Sequence, residues 1–188
     1  MDKKPAILVF AGPNGSGKST ITKVVDIYGD YINADDIQDE KNISAKEAAI
    51  IATELREKHL SKKEDFTFET VLSTERNLDL LRRAKKKGYF IKCFYVLTKN
   101  YDINIERVKG RVQKQGHDVP NEKIRKRYRR ALKLIPELVD VCDVIHIYDN
   151  SGDTFTRIFK KKKDIRSVWE NDLWSIQDIN KLTTKVEK

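Results

Sequence analysis

Ile7-Leu8-Val9-Phe10-Ala11-Gly12-Pro13-Asn14-Gly15-Ser16-Gly17-Lys18-Ser19-Thr20 decides how the rest of the chain reads. An apolar run, expected as a buried strand, ends at Ala11 and leads directly into Gly-x-x-x-x-Gly-Lys-Ser. A helix-compatible segment follows, and in that context the pattern is a P-loop. Gly12, Gly15 and Gly17 let the backbone curl until successive N–H groups point inward at anionic oxygens. The positive end of the following helix adds to that field. Lys18 can reach β- and γ-phosphates, and the Ser19 hydroxyl can ligate Mg²⁺. A nucleoside triphosphate, ATP or GTP, is the implied ligand of residues 12–20.

The chain of 188 residues is expected to form one domain, with a core over about 4–151 and an extension over about 152–188. Hydrophobic residues make up 39% and charged residues 36%, which suits a soluble globular protein and leaves no apolar stretch long enough to span a bilayer. The short run after Met1-Asp2-Lys3-Lys4 flows into the P-loop, so it reads as a strand and not as an export signal. Cys93 and Cys142 sit in apolar segments and read as buried thiols, in keeping with a reducing cytoplasm. The net charge of +9 admits nucleic acid as a partner. Its 38 cationic residues are interleaved with 29 acidic ones and lack an aromatic platform, so a basic surface with an anionic small-molecule site is the stronger reading.

Short apolar runs alternate with amphipathic stretches, which predicts an α/β fold, a three-layer α/β/α arrangement with a mostly parallel sheet. Strands are expected at Ala6–Ala11, Tyr31–Asn33, Asp65–Val71, Tyr89–Leu97 and Asp143–Tyr148. Helices are expected at Ser19–Val25, Ser44–His59, Asn77–Lys87, Ile103–Arg111 and Asn121–Leu134. Ser44 with Glu47 forms a capping box, and Gly88 stops the helix before it. The segment from Thr154 to Trp169 reads as a hairpin around Lys160–Lys163, followed by a terminal helix.

Open α/β sheets bind ligands at the carboxyl ends of their strands, and four polar groups fall there. Asp35-Asp36 follows the second strand, where a carboxylate can deprotonate an attacking hydroxyl, bind Mg²⁺ or simply cap a helix. Glu69-Thr70 ends the third strand and can meet substrate hydroxyls or Mg²⁺, with a surface acid and capping threonine as the plainer alternative. Thr98 ends the fourth strand, where it is either a substrate contact or a turn residue. The fourth group is basic: Arg107, Arg111, His117, Arg125, Arg127, Arg129 and Arg130. Arg127 and Arg130 are expected on one face, and two or three of these arginines are expected on ligand phosphates, as a closing lid would place them. Asp149-Asn150-Ser151 after the last strand can cap a turn or approach the adenine, with the cap the favoured reading. The Asn-Lys-x-Asp guanine motif is missing at Thr98–Asp102, and no transporter or motor ATPase signature is present. A small-molecule kinase fits best.

Taken in order, residues 12–20, Ile32–Ile37, Phe68–Ser73, Gly116–Pro120, Ile124–Arg130 and Tyr148–Ser151 resemble the zeta-toxin family of P-loop kinases, a likeness covering roughly Lys4 to Ser151. Characterised members use ATP and Mg²⁺ to phosphorylate the sugar 3′-hydroxyl of UDP-N-acetylglucosamine, and some are held by a small helical antitoxin. The resemblance implies Asp35 as catalytic base and Glu69 as the acid that grips the sugar, with Asp36, Thr70, Thr98 and His117 on the substrate side. It implies Lys18 and Ser19 in P-loop roles and Arg127 and Arg130 on phosphate, with Arg111 on the nucleotide. His117 stands near where those toxins carry an arginine. Two further readings remain at this stage: a nucleic-acid end kinase, and a nucleotide-binding component that acts through association.

Overall fold

The computed structural model describes residues 4–113 and 118–185. In chain order the elements are β1 (Ala6–Ala11), α1 (Lys18–Thr22), β2 (Asp30–Ile32), α2 (Ala34–Lys41), α3 (Ala45–Lys62), β3 (Phe66–Thr70), α4 (Glu75–Lys86) and β4 (Phe90–Leu97). They continue with α5 (Tyr101–Val112), α6 (Asn121–Lys133), α7 (Ile135–Val141), β5 (Val144–Asp149), β6 (Thr156–Lys162), β7 (Ile165–Val168) and α8 (Ile176–Thr183). The sheet runs β2-β3-β1-β4-β5-β6-β7. β1 lies parallel between β3 and β4, β2 pairs parallel with β3 and β5 parallel with β4. β6 and β7 then add an antiparallel hairpin to β5. Because the first five strands point the same way, their carboxyl ends share one edge, and the polar groups at residues 12, 33, 69, 98 and 149 arrive together there.

Helices on both faces explain the unbroken apolar character of the central strands. Ile7, Val9 and Ala11 of β1 face one layer with Phe66, Phe68, Leu81, Ile91, Leu138 and Ile145. Leu8 and Phe10 face the other, with Ile21, Phe94 and Val96. Cys93 and Cys142 are buried free thiols. No helix among the described residues is long and apolar enough to cross a membrane.

Local chemistry sets most element ends. The Ser44–Glu47 capping box closes on α3, with the Glu47 N–H 3.3 Å from the Ser44 hydroxyl and the Ser44 N–H 2.9 Å from the Glu47 carboxylate. Gly88, at φ 89°, follows the end of α4. Three expectations are corrected. The helix after the P-loop ends at Thr22 and not at Val25: Val24 is 80% exposed, so no apolar face rewards another turn. α2 forms where only a cap was foreseen, because Asn33 accepts the Asp35 N–H at 3.2 Å. α7 separates α6 from β5, with Pro136 in its first turn, where a missing N–H costs nothing.

Candidate active site

The P-loop is held from outside as much as from within. Gly12 donates its N–H to the Thr70 carbonyl at 3.2 Å, tying the loop to the end of β3. The Asn104 amide on α5 donates to the Asn14 carbonyl at 2.6 Å, and the Asn150 amide after β5 donates to the Ser16 carbonyl at 2.7 Å. Asn104 in turn receives the Thr98 hydroxyl. Gly12 has φ 143°, and a β-carbon there would strike the Val96 carbonyl oxygen. The loop thus packs backbone against backbone, with no room for a side chain. Ser16 is fully buried and its hydroxyl has no partner, an unspent hydrogen-bonding group inside the loop.

Lys18, also buried, folds over the loop. Its ammonium donates to the carbonyls of Gly12 at 3.0 Å and Pro13 at 3.2 Å, and lies 3.6 Å from the Glu69 carboxylate. Glu69 also accepts the Tyr31 hydroxyl at 3.3 Å, and burial together with the Glu69 charge pushes the Tyr31 pKa upward. Ser19 and Thr20 are exposed in the first turn of α1.

A cleft of about 380 Å³ opens beside the loop. Asn14, Gly15 and Lys18 line it together with Asp35, Glu69, Thr70, Arg111 and Arg127. Asp35 stands exposed at the start of α2, free of the capping duty that Asn33 performs. Arg127 bonds Asn14 Oδ1 at 3.1 Å, and its pKa is pushed below the ordinary value by burial, partly offset by the charge of Asp35. That one guanidinium is bonded to the loop and feels the charge of Asp35 across the cleft. Thr70 lines the wall with its hydroxyl occupied by the Leu72 N–H at 2.9 Å and the Asn77 amide at 2.8 Å.

Other expected residues stand elsewhere. Thr98 is fully buried beneath the loop and does not line the cleft; its hydroxyl meets Asn104 and the Asn100 carbonyl. Asp36 turns back to the Asn33 amide at 3.0 Å, and burial and then its acidic neighbours raise its pKa. Arg130 lies one turn beyond Arg127 on α6, about 4.5 Å farther along the axis, on a separate groove with Tyr101, Glu122 and Arg125. Arg107 braces the Asn150 carbonyl at 2.6 Å. His117 lies outside the described residues.

Several cleft residues are not singled out by the sequence, the charged ones being Arg56 on α3, Arg76 on α4 and Lys123 on α6. A helical face of Ala45, Ala49 and Ala52 ending in Arg56 was the available signal. A larger groove of about 830 Å³ lies between α7 and α8, but it contains no P-loop residue or strand-end acid.

Among the described residues no cluster of three or more His, Cys, Asp or Glu side chains suits a metal. A P-loop cation does not need one, since phosphate oxygens and water complete its shell around a single hydroxyl. Ser19 offers that hydroxyl, exposed at the start of α1.

Comparison with known proteins places this geometry. The zeta toxin family model matches residues 28–164. An uncharacterized protein of Haemophilus influenzae is 25% identical over 127 residues, covering 64% of this chain and 91% of that protein. A chain of the PezAT chromosomal toxin–antitoxin system of Streptococcus pneumoniae superposes with a TM-score of 0.64 at 17% identity, over 97% of this chain and 79% of that one. The AvrRxo1-ORF1:-ORF2 complex with ATP gives a TM-score of 0.72 at 14% identity, over 96% of this chain and 64% of that one. These structural likenesses show the fold, whereas the family model reaches across most of the sequence. The chain belongs to the zeta toxin family of P-loop kinases.

Proposed function

We propose that this ATP-dependent phosphotransferase moves the γ-phosphoryl group of ATP to a hydroxyl of a sugar nucleotide, UDP-N-acetylglucosamine or a near relative, in the cytoplasm. The observation that carries the reading is Arg127, bonded to the P-loop through Asn14 and electrostatically coupled to Asp35 across the same cleft. Asp35 accepts the proton of the acceptor hydroxyl as its oxygen bonds to the γ-phosphorus; the bond to the β-phosphate oxygen breaks and ADP leaves. Lys18 exchanges its two loop carbonyls for phosphate oxygens, and Arg127 neutralises charge that grows on the transferred group. Glu69, anchored by Tyr31, accepts hydrogen bonds from sugar hydroxyls. Ser19 would hold Mg²⁺, which when bound supplies positive charge shared between the phosphates.

Labelled ATP incubated with a panel of UDP-sugars tests the reading. Asp35→Asn is expected to lower transfer by about 10²–10⁴-fold while nucleotide affinity stays within about twofold. Undiminished transfer removes Asp35 from the role of base, and a panel without any labelled product removes the sugar-nucleotide acceptor. A second reading, control by a small partner that covers the cleft, draws on two similar structures that come from a toxin–antitoxin system and a two-protein complex. Purification of the tagged chain from its native host, followed by size-exclusion chromatography and mass spectrometry, tests that: a small protein co-eluting in fixed ratio supports it, and a chain that elutes alone overturns it.

A further inference from the structure

The 38 cationic and 29 acidic residues are interleaved along the chain, but folding sorts them. Arg82 of α4 takes Glu75, Asp79 and Glu137, and Arg83 takes Glu57. Lys185 takes Asp140 at 2.9 Å. α6 is left without such partners. Glu122, Arg125, Lys126, Arg129, Arg130 and Lys133 follow one another at helical spacing and form one stripe, each exposed or half-buried. The acid of the stripe, Glu122, pairs with Arg125 at 3.5 Å. Among the described residues no carboxylate reaches Lys126, Arg129, Arg130 or Lys133. Like charges four residues apart, as in Arg125 with Arg129 and Lys126 with Arg130, weaken a helix. The stripe therefore opposes its own helix until an anion arrives from outside.

The stripe borders a groove of about 600 Å³ that shares no lining residue with the active-site cleft. Tyr101, at the start of α5, lines this groove too. Arg125 and Arg129 hold their guanidiniums over its ring at 5.7 and 5.4 Å, which orients two planar donors in advance. From Arg125 to Lys133 the stripe runs about 12 Å along the helix, and Lys133 then lines the neighbouring groove with Lys181. This composition selects the occupant. The centre of a protein–protein interface is poor in charge, lysine above all. None of the exposed large apolar side chains stands on α6. Surfaces that bind nucleic acid are polar, strongly cationic and gain affinity by releasing counterions from phosphates. A groove beside one helix suits one strand, whose backbone a cationic track can follow.

We infer that the Arg125–Lys133 face of α6 binds the phosphate backbone of a single-stranded nucleic acid, outside the active-site cleft and without regard to sequence. The strand is a docking partner there and not a phosphoryl acceptor. Nothing in this depends on which hydroxyl the cleft phosphorylates.

The probe is a fluorescein-labelled oligouridylate of about 16 nucleotides, titrated with the full chain and followed by anisotropy between about 50 and 200 mM salt. Binding is expected, with log K falling against log salt at a slope of about −3, as about four phosphate contacts would give. The triple variant Lys126→Gln, Arg129→Gln, Lys133→Gln should weaken binding by about tenfold or more at the lower salt and flatten the slope by about 2. A control, Lys46→Gln, Lys86→Gln, Lys162→Gln, removes the same charge from exposed sites on α3, α4 and β6, and should stay within about threefold of the wild type. Both triple variants should keep their affinity for a non-hydrolysable ATP analogue within about twofold. No binding at the lower salt overturns the inference, and so does an equal loss in the control, which would make net charge the cause. Displacement of the strand by the ATP analogue, or labelling of its 5′-hydroxyl end from ATP, would put it in the cleft and overturn the separate face. Polyglutamate that competes as well as unlabelled oligouridylate overturns the nucleic-acid assignment in favour of an acidic protein, and a duplex that binds more tightly overturns the single strand.

Discussion

The two walls of the cleft are built by different means. On the P-loop side the chain is fixed by backbone: Gly12 against Val96, the Asn14 and Ser16 carbonyls held by Asn104 and Asn150, and Gly12 N–H on Thr70. On the α3 side the wall consists of side chains, Ala45, Ala49, Ala52, Thr53 and Arg56, and Arg76 of α4 lines the same cleft. Backbone cradles hold what all nucleotides share, their phosphates, and tolerate almost no substitution. A wall of side chains can be rewritten residue by residue, so acceptor choice can diverge while the donor site stays constant. The contrast makes a claim about mutations: changes on the loop side should act through fold and nucleotide, and changes opposite should act through acceptor.

The largest effect is expected at Gly12. Gly12→Ala combines φ 143° with a collision on the Val96 carbonyl, and should cost more than about 3 kcal/mol and eliminate ATP-analogue binding. A Gly12→Ala protein that melts and binds like the wild type would break the comparison at its base. Next comes the pair Arg127 and Arg130. Arg127→Met should lower transfer by about 10²-fold, whereas exposed Arg130→Met should stay within about twofold. Equal losses in steady-state assays would mean that both reach phosphate and that α6 moves on binding. A smaller loss is expected for Asn150→Ala, which strips the buried Ser16 carbonyl of its amide. Stability should fall by about 1–3 kcal/mol, and nucleotide affinity several-fold, in melts and titrations. A rise in acceptor KM alone would contradict the assignment of Asn150 to the loop wall.

The same division explains what could be seen in the sequence. Residues 7–20 declare strand, loop and helix because the backbone path itself demands glycine at fixed spacing, and the strand order follows from apolar runs that must be covered on both faces. Asp35, Glu69, Lys18, Arg111 and Arg127 reach the cleft because each lies near a strand end or on a helix beside it. Arg130 shows the limit of spacing: it shares an approximate face with Arg127, but the cleft lies at the first turns of α6 and Arg130 is past them. Asn104 and Asn150 were unreadable as loop supports, since their bonds span 90 and 134 residues. Arg56 was hidden differently. In a helix rich in charge it looks like one more surface residue until folding places Phe68 beneath it.

Thr98 carries the smallest expected effect and the sharpest distinction. Its place at a strand end and the family likeness both suggest a substrate contact, yet it lies under the loop with no exposure. Its hydroxyl meets Asn104 Oδ1, and the amide of that same side chain holds the Asn14 carbonyl. A chain of two hydrogen bonds thus connects Thr98 to the loop, and none leads to the acceptor wall. Thr98→Val keeps the shape but leaves Asn104 Oδ1 unpaired, so stability should drop by about 1–2 kcal/mol. Affinity for the ATP analogue should fall by about two- to fivefold, as Asn104 gains freedom and the loop loses part of its pre-organisation. The acceptor KM, measured at saturating ATP, should not move. A raised acceptor KM with unchanged nucleotide affinity would return Thr98 to the substrate side. It would also show that the two walls communicate through the buried Thr98–Asn104 pair and do not act as separate parts.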